Sequence, residues 1–179
     1  MKPTLYFLLA FCLIIPACKQ DQRPAAKKPT KGRVILQNKP EGYVEESLAA
    51  SIGPNRKYNL TLSRYCLMDR GFEVVFPLEN GDTSVVNFRD WKVSFELLEG
   101  DQLIVKEEFD KYVFKTHIPN DDALNFSFIS KVDVAGYNAL EDRVHIKCLL
   151  LSVRSNTGYY FDLRIGPNGI ERIDKVEIT

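Results

Sequence analysis

The 179-residue sequence predicts a mainly β domain, an antiparallel β-sandwich or open barrel with one or two short helices. Three observations lead there. Apolar side chains alternate with polar ones over short runs, as in Phe72, Val74, Phe76 and Leu78, and again in Trp91, Val93, Phe95 and Leu97. Turn signals separate these runs at short intervals, with Asn80-Gly81 the strongest of them. The last third reads as a meander whose strands are joined by Asn156-Thr157-Gly158 and Pro167-Asn168-Gly169.

The elements follow in order. Val44, Leu48 and Ile52 stand at i, i+4 and i+8 before Gly53-Pro54, a spacing that predicts a short helix over Tyr43 to Ile52. Tyr58, Leu60 and Leu62 begin a strand. Phe72 to Leu78 and Ser84 to Phe88 form a hairpin, in which Asn80 and Gly81 suit a two-residue type I′ turn because both tolerate positive φ. The Trp91 to Leu97 strand turns at Glu99-Gly100-Asp101 into Leu103-Ile104-Val105. Asn120 is a helix cap followed by Asp121 and Asp122, two acids at the positive end of the helix dipole. Leu124, Phe128 and Ile129 would make the apolar stripe of that helix, although Leu124 to Phe128 also alternates as a strand. Strands over Val144 to Val153, Tyr159 to Ile165 and Ile170 to Ile178 close the chain.

Ahead of this domain the composition changes. Leu5 to Ile15 is almost wholly apolar and follows Lys2, yet it is shorter than the about 20 residues a spanning helix needs. It ends in Ile15-Pro16-Ala17-Cys18, which resembles the lipobox of bacterial lipoproteins. The resemblance implies a signal peptide over residues 1–17 and a lipidated Cys18 that anchors the chain to a membrane. Residues 18–33 read as the lipidated cysteine and a flexible basic stalk, with Lys19, Arg23, Lys27, Lys28, Lys31 and Arg33 against one acid, Asp21. Residues 34–179, the single globular domain, carry a net charge of −6. An acidic domain on a basic tether argues against a nucleic-acid partner. Lys19 is not the aspartate that retains some lipoproteins in the inner membrane, so the resemblance points to the outer membrane.

From Asn59 to Ile178 the chain resembles small bacterial lipoproteins with a β-rich domain of unassigned function. The likeness rests on Arg89-Asp90-Trp91 opening a strand, Glu107-Glu108-Phe109, an Asp-led helix near residue 121 and a terminal hairpin with Gly169 at its turn. It implies no catalytic residues.

Motifs that would carry chemistry are missing. The sequence contains no G-x-G fingerprint, no Walker A loop, no G-x-S-x-G, no S-x-x-K and no H-E-x-x-H. Its histidines are His117 and His145. His117 reads as a strand-end imidazole, with Asp121 and Asp122 as conceivable partners, and His145 as a sheet-face residue. Asp121, Asp122, Asn120 and Asp133 lack the spacing of a calcium loop, so capping is the better reading and neither metal nor cofactor is expected. Cys66 and Cys148 fall on inward strand positions, and sequence leaves open whether they form a disulfide or stay as two buried thiols.

One stretch departs from alternation. Cys148-Leu149-Leu150-Leu151-Ser152-Val153 is apolar on both strand faces, so something must cover the second. That cover is the Asp121–Ile129 segment, or else a partner protein or hydrophobic ligand meeting Leu149, Leu151 and Tyr160. The functional expectation is a non-catalytic binding or assembly module of the cell envelope. The alternatives are an envelope hydrolase with a site assembled from distant residues and an inhibitor-type lipoprotein.

Overall fold

A computed structural model describes residues 32–177. The signal peptide, Cys18 and nearly all of the stalk expected from the sequence lie outside these residues. Two sheets pack face to face over one core, which makes the fold a sandwich.

The first sheet is built on a long hairpin, β3 (Tyr58–Pro77) and β4 (Thr83–Glu99). β2 (Glu45–Ile52) lies antiparallel along the first half of β3. β5 (Gln102–Asp110) lies antiparallel along the second half of β4. β1 (Val34–Lys39) runs parallel to the first half of β4. The second sheet is a four-stranded meander of β6 (Ser127–Asn138), β7 (Arg143–Ser152), β8 (Thr157–Gly166) and β9 (Gly169–Val176).

The structure corrects several sequence expectations. Tyr43 to Ile52 is not helical but contains strand β2. A spacing of four is also a multiple of two, so Val44, Leu48 and Ile52 share a strand face as readily as a helix face. The β3–β4 turn is a three-residue loop, Glu79-Asn80-Gly81, in which only Gly81 has positive φ, 83°. The Asn80 side chain is instead spent on the Asp82 backbone N–H at 3.0 Å. The helix after Asn120 is α1 (Asp121–Asn125), capped by the Asn120 side chain accepting from Ala123 N at 2.7 Å, and the chain then becomes β6. Phe128 and Ile129 therefore stand in a strand.

Arg89-Asp90-Trp91 does not open a strand but sits within β4, opposite a break in register. Cys66 pairs with Trp91 and Gly71 with Arg89, so four residues of β3 bulge out where β4 spends one, Asp90. A Cβ on Gly71 would collide with the Phe88 carbonyl, which is why glycine closes the bulge. Beyond this point Phe72 and Phe88 stack at 5.5 Å and meet Phe126 and Phe128 of the other layer.

The inward positions of both sheets form the core: Leu60, Leu62, Val93, Phe95 and Leu97 face Ile146, Leu150, Phe161, Leu163 and Ile165. Fully burying each of these side chains contributes about 1.5–3 kcal/mol. A 3₁₀ segment, Lys111–His117, plugs one end by stacking Phe114 on Phe161 at 4.2 Å.

Two buried cations join the layers. Lys111 donates to Asp90 at 2.7 Å and to the carbonyls of Asn125 and Ser127. Arg64, inward-facing between Leu62 and Cys66, donates to the Ile129 and Ser130 carbonyls and to Glu46, with its guanidinium 4.1 Å from the Trp91 ring. The Ser127 and Ile129 carbonyls lie on the edge of β6 that has no strand neighbour, and the Asn125 carbonyl stands just before it at the end of α1. Replacing Lys111 with Met strands Asp90 and two carbonyls and should cost about 3–5 kcal/mol in a urea titration. The double change with Asp90→Leu should recover part of that loss, because the buried charge is then gone.

Candidate functional site

The outer face of the second sheet brings the sequence-singled residues together. Cross-strand register sorts it into rows. Phe128, Leu151 and Gly158 form the first, and Lys131, Leu149, Tyr160 and Val176 the second. Asp133, Lys147, Asp162 and Asp174 form the third. His145, Arg164 and Arg172 stand in the fourth. The face is thus apolar at one end and charged at the other.

At the apolar end Tyr160 and Val176 are exposed, 37% and 41%, while Leu149 and Leu151 are half-buried. A Cβ on Gly158 would touch both Leu149 and Tyr160, so the missing side chain leaves a notch between them. Cys148 and Leu150 are wholly buried on the opposite face against the first sheet. The Asp121–Ile129 segment does not lie over Leu149 and Leu151. It passes through α1 and becomes β6, which pairs edge to edge with β7.

At the charged end the His145 ring bonds to one carboxylate and has a second nearby, beyond hydrogen-bond reach. Its Nδ1 is 2.9 Å from Asp162 and its Nε2 is 3.7 Å from Glu141. Arg164 donates to Glu141 at 2.6 Å and pairs with Asp174 at 2.9 Å, and Arg172 also reaches Asp174. Arg143 pairs with Glu171 at 2.5 Å. A shallow hollow beside His145 is lined by Gly136, Tyr137, Asn138, Lys147 and Asp162. The pair could orient an imidazole as a base, but no Ser, Thr or Cys lines the hollow to act as a nucleophile.

The other singled residues lie apart. His117 ends the 3₁₀ segment and bonds to the Thr116 hydroxyl at 3.0 Å, with its ring edge-on to Phe161. Asp121 pairs with Lys115 and Asp122 with Arg154, so neither serves His117. Among the described residues no group of His, Cys, Asp and Glu could hold a metal ion, and no helix is long and apolar enough to cross a membrane.

Cys66 and Cys148 are both buried as free thiols, so the structure carries no disulfide between them. The Cys66 sulfur is turned toward the chain leading into β2, accepting from Val44 N at 3.1 Å and lying 3.6 Å from the Gly42 carbonyl. Burial pushes the Cys148 thiol well above its ordinary range, with the Arg64 charge opposing this more weakly.

Sequence reasoning missed Val176, which register alone places beside Tyr160, and the inward Arg64, which its position between Leu62 and Cys66 would have revealed. A raised thiol pKa means that the folded state keeps the proton above about pH 8.5, where an unfolded thiol loses it. The native protein at about pH 9 should therefore leave Cys148 unmodified by iodoacetamide, Cys66 should be shielded by its burial, and unfolding without reductant should expose both to alkylation. A bridged pair would give no modified thiol in either state. The sequence matches no known protein-family model and no curated protein.

Proposed function

We propose that the chain is a lipid-anchored, non-catalytic binding module of the bacterial cell envelope, held by Cys18, with the outer face of the second sheet as its partner surface. One observation carries this reading. Leu149, Tyr160 and Val176 make an apolar row in a face whose next rows are tied by ion pairs. A row of this composition, with an aromatic at its centre and charges at its rim, suits a protein interface. The hydrolase alternative would rely on the His145–Asp162 pair, which lacks a neighbouring nucleophile in its hollow. The anchor reading rests on the Ile15-Pro16-Ala17-Cys18 resemblance, and the outer membrane is the destination that Lys19 favours.

Two measurements test the two halves of the proposal. Cells fed an alkyne fatty acid should label the native chain and not Cys18→Ala. Labelling that survives the substitution removes the anchor reading. A photo-crosslinking residue at Tyr160 should capture an envelope protein, whereas the same residue at Asp101 should not. Val176→Asp should abolish capture and leave the melting temperature nearly unchanged, since Val176 is exposed near the end of an edge strand. Equal yields at Tyr160 and Asp101 would rule this face out.

A further inference from the structure

Beyond the Cys66–Gly71 bulge the outer halves of β3 and β4, with β1, extend as a three-stranded arm about 20 Å long. Its base is packed by Phe126 and Phe128, but its outer part carries apolar side chains into solvent. Six of the fourteen large exposed apolar side chains among the described residues are here: Val34, Ile35, Leu36, Val75, Phe76 and Leu78. Leu36 is 76% exposed, Val34 63% and Val75 61%. A concentration of this kind marks an interaction surface.

Register decides what can cover it. Leu36, Val85 and Val75 form a row on one face of the arm, and Ile35, Ser84 and Phe76 form a row on the other. Leu78 stands at the tip, at the base of the hairpin loop. A second sheet, or a strand added at an edge, would cover one face and leave the other in water. A lipid surface takes in a protruding tip from all sides at once.

The course of the chain points the same way. Arg33 is fastened to the tip, its N–H donating to Asp82 at 2.7 Å and its carbonyl accepting from Thr83 N at 2.9 Å. Cys18 is fourteen residues before Gly32, a span of at most about 50 Å. A lipid on Cys18 therefore keeps the tip within about 50 Å of the membrane, and the tip is the end of the hairpin at which the chain enters. The intervening segment is basic and suits anionic headgroups. The acids at the tip are partly spent: the Asp82 carboxylate accepts from Arg33 N, and also from the Asn80 side chain at 2.8 Å.

We propose that this arm is a membrane-contacting tip, seated in the interfacial layer of the bilayer that holds the lipid on Cys18. The proposal rests on the lipid-anchor reading for its location, but the contact itself belongs to the arm. Tethering converts a weak apolar contact into a local one at high effective concentration.

The test uses Leu78→Cys carrying an environment-sensitive dye. Cys66 and Cys148 are buried, so the dye goes to the new thiol alone once Cys18 is acylated or changed to Ser. The lipidated full chain is reconstituted into phosphatidylcholine vesicles, with and without phosphatidylglycerol. Emission at position 78 should shift to shorter wavelength and be quenched by spin-labelled lipid. The same dye at Asp101, about 50 Å away along β4, should do neither. Leu36→Glu with Val75→Glu, both exposed, should abolish the shift while the chain still floats with the vesicles. The Cys18→Ser chain, titrated with excess vesicles, should show the same shift at much higher lipid concentration.

Intact mass reports acylation of Cys18 separately. An acylated chain on vesicles without the shift overturns the arm and spares the anchor. An unacylated chain refutes the anchor, and the arm is then judged by the Cys18→Ser titration, where no shift overturns it. A shift that depends on protein concentration without vesicles, or that appears only on adding another protein, also overturns it.

Discussion

The sandwich depends on how the free edge of β6 is satisfied. An edge strand presents carbonyls with no ladder partner, and at this edge they face the other layer instead of water. Arg64 from the first sheet and Lys111 from the start of the 3₁₀ segment supply the missing donors, reaching Ser127, Ile129 and Ser130 and the Asn125 carbonyl at the end of α1. Each cation is itself compensated, Lys111 by Asp90 and Arg64 by Glu46 and the Trp91 ring. Asp90 is the single residue that β4 places opposite the β3 bulge, so the irregularity in the hairpin and the seam between the sheets are one construction. Fully connected, such a network fixes one relative placement of the two layers, because a slip would leave buried charges and carbonyls unpaired together.

That placement sets what each surface can offer. β7 and β8 are buried on one side against the first sheet, which leaves their outer side to carry an apolar row and a lattice of ion pairs side by side. Glu107 of β5 reaches the β8–β9 turn, where Ile170 N donates to it at 3.2 Å and a Cβ on Gly169 would strike its carboxylate. The far end of the meander thereby has its own tie to the first sheet. Rigid elements hold a recognition surface better than loops do, and this face is made of strands pinned at both ends.

The last three strands of the meander were legible because their turns contain Asn156 and Gly169, both at positive φ, whereas β6 was missed because its first residues were assigned to the helix after Asn120. The core positions of β3 and β4 followed from their alternation. Strand β2 was hidden by a spacing that fits two periods, and β1 by its place directly after a run of cations. The bulge at Cys66–Gly71 could not be foreseen, because it rests on where Asp90 falls when two distant runs pair. For the candidate surface, the doubly apolar run at Leu149–Leu151 signalled that one strand lacked a water-facing side. The sequence could not tell core from arm in Phe72 to Leu78, since alternation reports two faces and says nothing of whether a second layer lies opposite either of them.

The parallel pairing of β1 with β4 has a mechanical consequence. β1 begins at the tip of the hairpin and runs back toward the body of the domain. A pull on the preceding chain, directed away from the tip, acts along the axis of β1. Its ladder bonds, evenly spaced in a parallel pair, are then loaded together in shear and not opened one after another. Forced unfolding is governed by the rate of bond rupture, and shear raises the barrier that sets that rate. A tether attached ahead of β1 would therefore resist being peeled away, because load on the preceding chain passes into the long hairpin and so to the seam at Asp90.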